Sequence, residues 1–230
     1  MAVVRTDGDR TIVIERAGDA ATSHTERLPA ELVAVLREAG ATLDEVDRLA
    51  VIVGPGSFTG LRVGIATIQG LALAQSLPVT PVSTFEALAW TAGTAAPADA
   101  VATWVDAHRA EVFATLFAPD GRTVLEPATA LTPAATLDAW RGTLASFGTG
   151  EQGTRDRCRV RFIGDGAIRY LDVIRASLGP RAHVDAHAPA LAAACGRIAA
   201  LEPHRAVRPH ALVPVYVRRP DVELARERRA

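Results

Sequence analysis

Apolar positions in this chain alternate between short continuous runs and longer stretches in which they recur every three or four residues, the pattern of buried strands exchanging with amphipathic helices. Leu49 to Val53 is such a run, Gly54-Pro55-Gly56 forces a turn, and Leu61 to Gln75 reads as a helix whose N-terminus points back at the turn. Upstream, Ala2 to Thr6 and Thr11 to Glu15 are strand-like around a hairpin signal, Asp7-Gly8-Asp9-Arg10. Leu28, Leu32, Leu36 and Ala39 follow helical spacing up to Gly40, where a C-terminal cap belongs. Thr42 to Glu45 fits a capping box for one short turn. Downstream, Val79 to Val82 reads as a strand, Ser83-Thr84-Phe85-Glu86 caps a helix to about Thr91, and the stretch from Gly93 to Ala100 marks a boundary between halves.

The second half opens with strands at Val101 to Asp106, Glu111 to Phe117 and Thr123 to Glu126. Its hairpin turn, Asp120-Gly121-Arg122-Thr123, matches Asp7-Gly8-Asp9-Arg10-Thr11 with one residue fewer, and Val124-Leu125-Glu126 follows it as Ile12-Val13-Ile14-Glu15 follows the first. Each half then continues helix, strand, helix, which points to a duplicated lobe. The repeat exposes a gap: Val101 to Asp106 precedes the second hairpin, and its counterpart would lie before Met1. Further on, Thr132-Pro133 starts a helix to about Arg141, and Gly142 to Arg157 reads as a loop. Val160 to Ile163 runs through Gly164-Asp165-Gly166 into a helix from Ala167 to about Ser177. Ala190, Leu191, Ala194, Ile198 and Leu201 form the stripe of another helix, and Val213 to Ala230 combines an apolar run with an arginine-rich helix. The expected lobes are residues 1–98 and 99–230.

Composition narrows the chemistry. With 49% apolar residues and a formal net charge of −1, the chain has the makings of a sizeable core and no global attraction to nucleic acid or membrane. No apolar run is long enough to span a bilayer and no signal peptide is visible, so the cytoplasm is the expected location. All 25 basic residues are Arg, which removes Schiff-base chemistry and the lysine of a phosphate-binding loop. Cys158 and Cys195 form no CxxC motif, and Cys195 falls in a helical core stripe.

The glycine loop fails the usual signatures. Thr59 stands where a Walker loop needs its second Gly, and Ser57 lacks the flanking glycines of a nucleophile elbow. Gly54, Gly56 and Gly60 follow a strand as in a dinucleotide site, yet no acidic residue lies between Asp47 and Glu86 to hold a ribose. In the helix, Ala66, Gly70 and Ala74 recur every four residues, a small-residue face open to close approach by the protein's own elements or by a second chain. His183 and His187 are spaced i, i+4 between Pro180 and Pro189, with no carboxylate motif to complete a zinc site, and read as solvated. Asp106 ends a strand and Asp165 sits in a glycine turn, and the two read either as cleft carboxylates that could bind metal or phosphate-linked water or as turn and cap residues. No cofactor or metal is expected. The arginine-rich segments 155–161 and 218–229 read as solvated surface.

At Gly54-Pro55-Gly56-Ser57-Phe58-Thr59-Gly60-Leu61-Arg62-Val63-Gly64, with Gly70-Leu71-Ala72 and Pro81-Val82-Ser83-Thr84-Phe85-Glu86-Ala87-Leu88, the chain resembles the bacterial TsaB (YeaZ) family. Ser23-His24-Thr25-Glu26 with Leu28-Pro29, Val105-Asp106-Ala107-His108-Arg109, Glu111-Val112-Phe113, Gly164-Asp165-Gly166-Ala167 and Pro214-Val215-Tyr216-Val217-Arg218 extend the likeness along most of its length. The resemblance implies an α/β, two-lobed actin-like (ASKHA) fold. It also implies a non-catalytic partner of a TsaD-like transferase in making N6-threonylcarbamoyladenosine on tRNAs that read ANN codons. A TsaE-like ATPase would join through the complex, tRNA contact would be indirect, and the chain would be a possible homodimer when alone. The positions matching the family's pairing helices are Leu28, Leu32, Leu36, Leu61, Ala66, Gly70 and Ala74, and Asp106, Gly164, Asp165 and Gly166 are the cleft candidates. The alternative on the same fold is an enzyme, an ATP-using phosphotransferase or metallopeptidase working through the inter-lobe cleft. His108 is a mild departure from the family's usual residue. The family's first strand is missing before Ala2, for which a mis-set translation start is the expected cause and a true truncation the alternative.

Overall fold

The structure is a computed structural model that describes residues 1–8, 10–17, 24–93, 98–147 and 159–218, with residues 24–27 described by backbone alone. Two compact units emerge: residues 1–87 with 190–215, and residues 88–189 with the segment from Tyr216 onward.

In the first unit, β1 (Ala2–Asp7) and β2 (Arg10–Glu15) form an antiparallel hairpin, as the Asp-Gly turn signal requires. Helix α1 (His24–Glu38) closes as its spacing predicts: Ala41 N–H donates to Leu36 O and Gly40 N–H to Arg37 O, the doubly bonded helix end in which glycine reverses the chain. Thr42 donates to the Glu45 carboxylate from both its N–H (2.7 Å) and its hydroxyl (3.0 Å), so the short turn there forms. The apolar run becomes β3 (Leu49–Gly54), and α2 (Phe58–Gln75) starts three residues earlier than periodicity alone suggests, because Ser57 caps it. Strand β4 (Val79–Ser83) lies parallel to β3, and the loop-helix crossover through α2 is what parallel pairing demands. Helix α3 (Thr84–Ala92) begins in a capping arrangement: Ser83 Oγ accepts from Phe85 N–H at 3.1 Å and Glu86 accepts from Ser83 N–H at 2.8 Å.

The second unit holds one five-stranded mixed sheet. Strands β5 (Ala100–Asp106), β6 (Val112–Phe117) and β7 (Val124–Leu131) are antiparallel neighbours. Strand β7 runs five residues past the expected Glu126, with register shifts against β6 that accommodate Pro127. Helices α4 (Pro133–Ala139) and α5 (Arg141–Ser146) follow, so the first residues of the expected 142–157 loop are helical; residues 148–158 lie outside the described residues. Strand β8 (Val160–Ile163) is parallel to β5, and β9 (Ala182–Val184) is parallel to β8, giving the order β7-β6-β5-β8-β9. Between β8 and β9, α6 (Asp165–Arg169) begins at Asp165 rather than Ala167 and gives way at Tyr170 to α7 (Leu171–Leu178). Trp104 anchors the core, fully buried, with edge-on contacts to Phe162 (centroids 5.3 Å apart) and Trp140 (6.2 Å).

Helix α8 (Ala192–Leu201) returns to the first unit. The 99–230 boundary expected for the second lobe differs here, for identifiable reasons. A Cβ on Gly196 would lie 2.6 Å from Val4 Cγ2, Ala193 N–H donates to Glu15 (2.8 Å), and Arg48 donates to Ala199 O (2.9 Å). Arg205 then bridges Glu86 (3.1 Å) and Glu202 (2.8 Å). Contacts this distant in sequence leave no local signal. Cys195 is buried on this helix, and burial pushes its thiol up to about 12, so it stays protonated and inert. Leu201, expected in the helical stripe, is 60% exposed. The terminal arginine-rich helix falls on residues 219–230, outside the described residues.

Candidate partner interface

The glycine loop and α2 form the candidate site. Ser57 Oγ accepts from Gly60 N–H (3.4 Å) and Ser57 O from Leu61 N–H (2.9 Å), so the helix start is satisfied from within the chain. Thr84 donates to Pro55 O at 2.6 Å and ties the loop to the start of α3. The loop motif Gly54, Pro55, Gly56, Ser57, Phe58, Thr59, Gly60 and Arg62 is therefore a pinned corner, with the Arg62 guanidinium 3.8 Å above the Phe58 ring.

From this corner α2 has two sides. Its inner side buries Ile65 and Ala72 beside Leu49, Val51, Val53, Val79 and Leu212. Gln69 Nε2 donates to Pro209 O (3.0 Å) and Leu212 O (3.2 Å), fixing the following segment against the helix. On the outer side Ala66, Gly70 and Ala74 are all exposed. A Cβ built on Gly64 or Gly70 meets nothing within 4 Å. The small-residue face therefore does not pack against the chain's own sheet or against α1. Helix α1 lies alongside α2. Its Leu36 is buried, only 8% exposed, beside the fully enclosed Val35, so Leu36 faces inward; Leu28, Leu32 and, on α2, Leu61 are half-buried. Two apolar side chains that the spacing argument passed over are more exposed than these, Val33 (57%) on α1 and Leu73 (62%) on α2. The signal for them was their position off the core stripe of each helix.

The cleft candidates Asp106, Gly164, Asp165 and Gly166 sit in the second unit and are engaged within it. Asp165 Oδ1 accepts from Gly166 N–H (2.8 Å) and from Asp106 N–H (3.0 Å), while Asp106 accepts from Arg169 Nη1 (2.9 Å) and His108 N–H (3.1 Å). Gly164 and Gly166 pack directly on the backbone of β5. The turn after Asp106 is unusual: His108, Arg109 and Ala110 have φ of 57°, 53° and 60°, three consecutive left-handed residues. Arg218 braces it, donating to Ala107 O (3.2 Å), pairing with Glu111 and lying 5.5 Å from the Phe113 ring. His183 is on β9 beside Asp185 and not on a helix, so the i, i+4 spacing to His187 brings no pair onto one face. Among the described residues no three His, Cys, Asp or Glu side chains gather as metal ligands, and no helix is long and apolar enough to cross a membrane. The side chain of His24 lies outside the described residues.

A mixed-sheet α/β chain with a repeated lobe plan and a pinned GPGSFTG corner defines a class, and comparison with known proteins gives it a family. The model of the TsaD family, tRNA N6-adenosine threonylcarbamoyltransferase, matches residues 17–225. TsaB, the tRNA threonylcarbamoyladenosine biosynthesis protein of Haemophilus influenzae, is 40% identical over 46% of this chain and 44% of its own length. Escherichia coli TsaB is 40% identical over 39% of each. The crystal structure of YeaZ from Pseudomonas aeruginosa superimposes with a TM-score of 0.69 at 27% identity, covering 94% of this chain and 93% of that one. The chain belongs to the TsaD family, in its TsaB (YeaZ) branch, and has the actin-like fold of that branch. It spans less than half the length of these two curated relatives.

Proposed function

We propose that this chain is a non-catalytic pairing subunit for a TsaD-like transferase in N6-threonylcarbamoyladenosine modification of tRNA, and that it pairs through the outer faces of α1 and α2. The observation carrying this reading is the exposed face Ala66, Gly70, Ala74, where a Cβ on Gly70 would meet nothing within 4 Å among the described residues. Glycine in a helix interior costs about 1 kcal/mol relative to alanine. On the exposed face of α2, Gly70 packs no described neighbour over its Cα, whereas another chain's helix approaching closely would use the space. Val33 and Leu73 supply the apolar contacts around it. The names of the relatives support the pathway, and the matching family model supports a partner of related fold. Asp106 and Asp165 are spent on bracing backbone and Arg169, which supports a subunit without chemistry of its own. A TsaE-like ATPase enters through the assembly, contact with tRNA is indirect, the location is the cytoplasm, and self-association through the same face occurs when the partner is absent.

Two variants at one position separate pairing from folding. Gly70→Ala meets no atom, so the isolated chain gains about 1 kcal/mol of helix propensity, read as a rise of roughly 2–4 °C in its thermal midpoint. Gly70→Leu folds equally well alone and loses co-purification with the transferase. Retained association of Gly70→Leu would show that α2 is not the pairing helix. A chain that binds no transferase and has ATPase or peptidase activity by itself would overturn the scaffold reading.

A further inference from the structure

We propose that the groove between α7 and the pair α4 and α5, on the second unit, receives a second copy of this chain, turned about a two-fold axis so that each α7 lies in the groove of the other copy. The inference is independent of the pairing face on α1 and α2, which belongs to the first unit.

The groove has a volume of about 1180 Å³. Its floor is Leu137, Leu144 and Leu178, all buried in the core beneath the helices. Its walls carry side chains too small to fill it, Ala135 and Ala145 on one side and Ala176 and Ser177 on the other, and all four are exposed. Small side chains on a helix leave room for the ridge of a second helix.

The topology sets the direction of both walls. Strand β6 is antiparallel to β5 and β7 antiparallel to β6, so β7 runs with β5, as β8 does. Helix α4 after β7, and α7 after β8 and α6, therefore leave from the same end of the sheet. Helix α7 has to travel to the opposite end, because β9 begins there, parallel to β8. With α4 packed beside α7, the two walls run in one direction.

Charge follows that direction. On one wall Asp138 precedes Arg141, and the two pair across a turn at the surface. On the other, Asp172 in the first turn of α7 precedes Arg181, whose Nε donates to Leu178 O (3.4 Å) beyond the helix end. Asp172 has no ion-pair partner among the described residues. The groove is thus acidic toward one end and basic toward the other. A half-turn about an axis through Ala176 and Ser177, midway between positions 172 and 181, sets each Asp172 against Arg181 of the other copy, once at each end. The face is complementary to itself, and no like charges of this pair meet across it. Any other occupant would have to bring a basic and an acidic end in the matching order.

The test is sedimentation equilibrium of the full chain and of its Gly70→Leu variant, in which association through α2 is removed and association through the groove is kept. Both should dimerise, and more tightly at low salt than at high. Asp172→Arg, and separately Arg181→Asp, should each weaken the dimer about tenfold or more, because each sets like charges together at both ends of the groove. Mixed one to one, these two variants should bind each other to within about threefold of the parent, since one then carries only bases and the other only acids. Circular dichroism confirms that each variant is folded. A folded mixture that stays monomeric, or single variants that dimerise like the parent, overturns the proposal. So does a parent dimer that is lost in Gly70→Leu, which would place the whole association on α2. A monomeric parent overturns it as well, and two measurements then name the occupant. If Val222→Asp with Leu224→Asp lets the chain dimerise, its own terminal segment fills the groove; if Arg181→Asp lowers co-purification with the transferase, that partner does.

Discussion

The sheets of the two units differ in continuity, although their elements come in the same order. In the second unit five strands form one sheet, and its central strand, β5, is paired on both edges and buried along nearly its whole length. In the first, the hairpin β1-β2 and the parallel pair β3-β4 are separate two-stranded sheets, and β1 is only half-buried before becoming exposed. A pair of strands has few internal partners, so its stability must come from helices packed on it. That is the role of α8 on β1 and β3 and of α2 on β3. The comparison teaches that a repeated order of elements can yield unequal sheets: among the described residues, only the second unit has a strand between its hairpin and its parallel pair.

The largest expected effect tests whether the second unit depends on its central strand. Trp104→Ala removes the side chain that meets Phe162 and Trp140, and should cost about 3–5 kcal/mol. Amide exchange should accelerate across β5, β6 and β8 while β3 and β4 hold; simultaneous loss in all of them would mean that the two cores do not melt separately.

Next come matched glycines. Gly54 and Gly164 each end a parallel strand with nearly the same φ, 114° and 113°, a conformation that side chains rarely adopt. A Cβ on Gly164 would lie 2.2 Å from Trp104 O within a paired strand, whereas one on Gly54 would lie 2.6 Å from Val215 O in an irregular segment. Both alanine variants should be destabilised, and Gly164→Ala more so, because β5 cannot shift without breaking ladder bonds on both sides. Equal midpoints in urea would erase the distinction.

The smallest effect lies in the turns. Asp120 accepts from Arg122 N–H (2.8 Å), Thr123 N–H (2.9 Å) and the Thr123 hydroxyl (2.7 Å), and these bonds hold its carboxyl below the usual aspartate range. Since its folded value is lower than its unfolded one, Asp120 contributes stability above the unfolded value, and that contribution is lost as pH falls through the carboxylate range. Solvent screening keeps it small. Asp120→Asn should lower stability slightly at neutral pH and leave the acid end nearly unchanged, flattening the acid side of the profile; an unaltered acid slope would show that the turn contributes nothing.

Much of the architecture was legible in the residues. The strand runs, the Ser83 cap, the Gly40 helix end and the two Asp-Gly hairpins all rest on contacts within a few positions, where local chemistry acts. The family motif from Gly54 to Gly64 was equally visible. The candidate interface was half legible: the four-residue spacing of Ala66, Gly70 and Ala74 marks a face but not which way it points, and Leu36, on an equally regular stripe, is buried.

The sequence by itself determined the element order, the duplicated lobe plan and the exclusion of lysine chemistry, because each follows from residue type and short-range spacing. Only the tertiary structure decided that α8 belongs with the first unit, that the Asp165 carboxylate braces the backbone of Asp106, and that Gly64 and Gly70 have open space above them. These are contacts between residues as far as 178 positions apart, as between Ala193 and Glu15, and burial of that kind is a property of the assembled fold that no local pattern encodes.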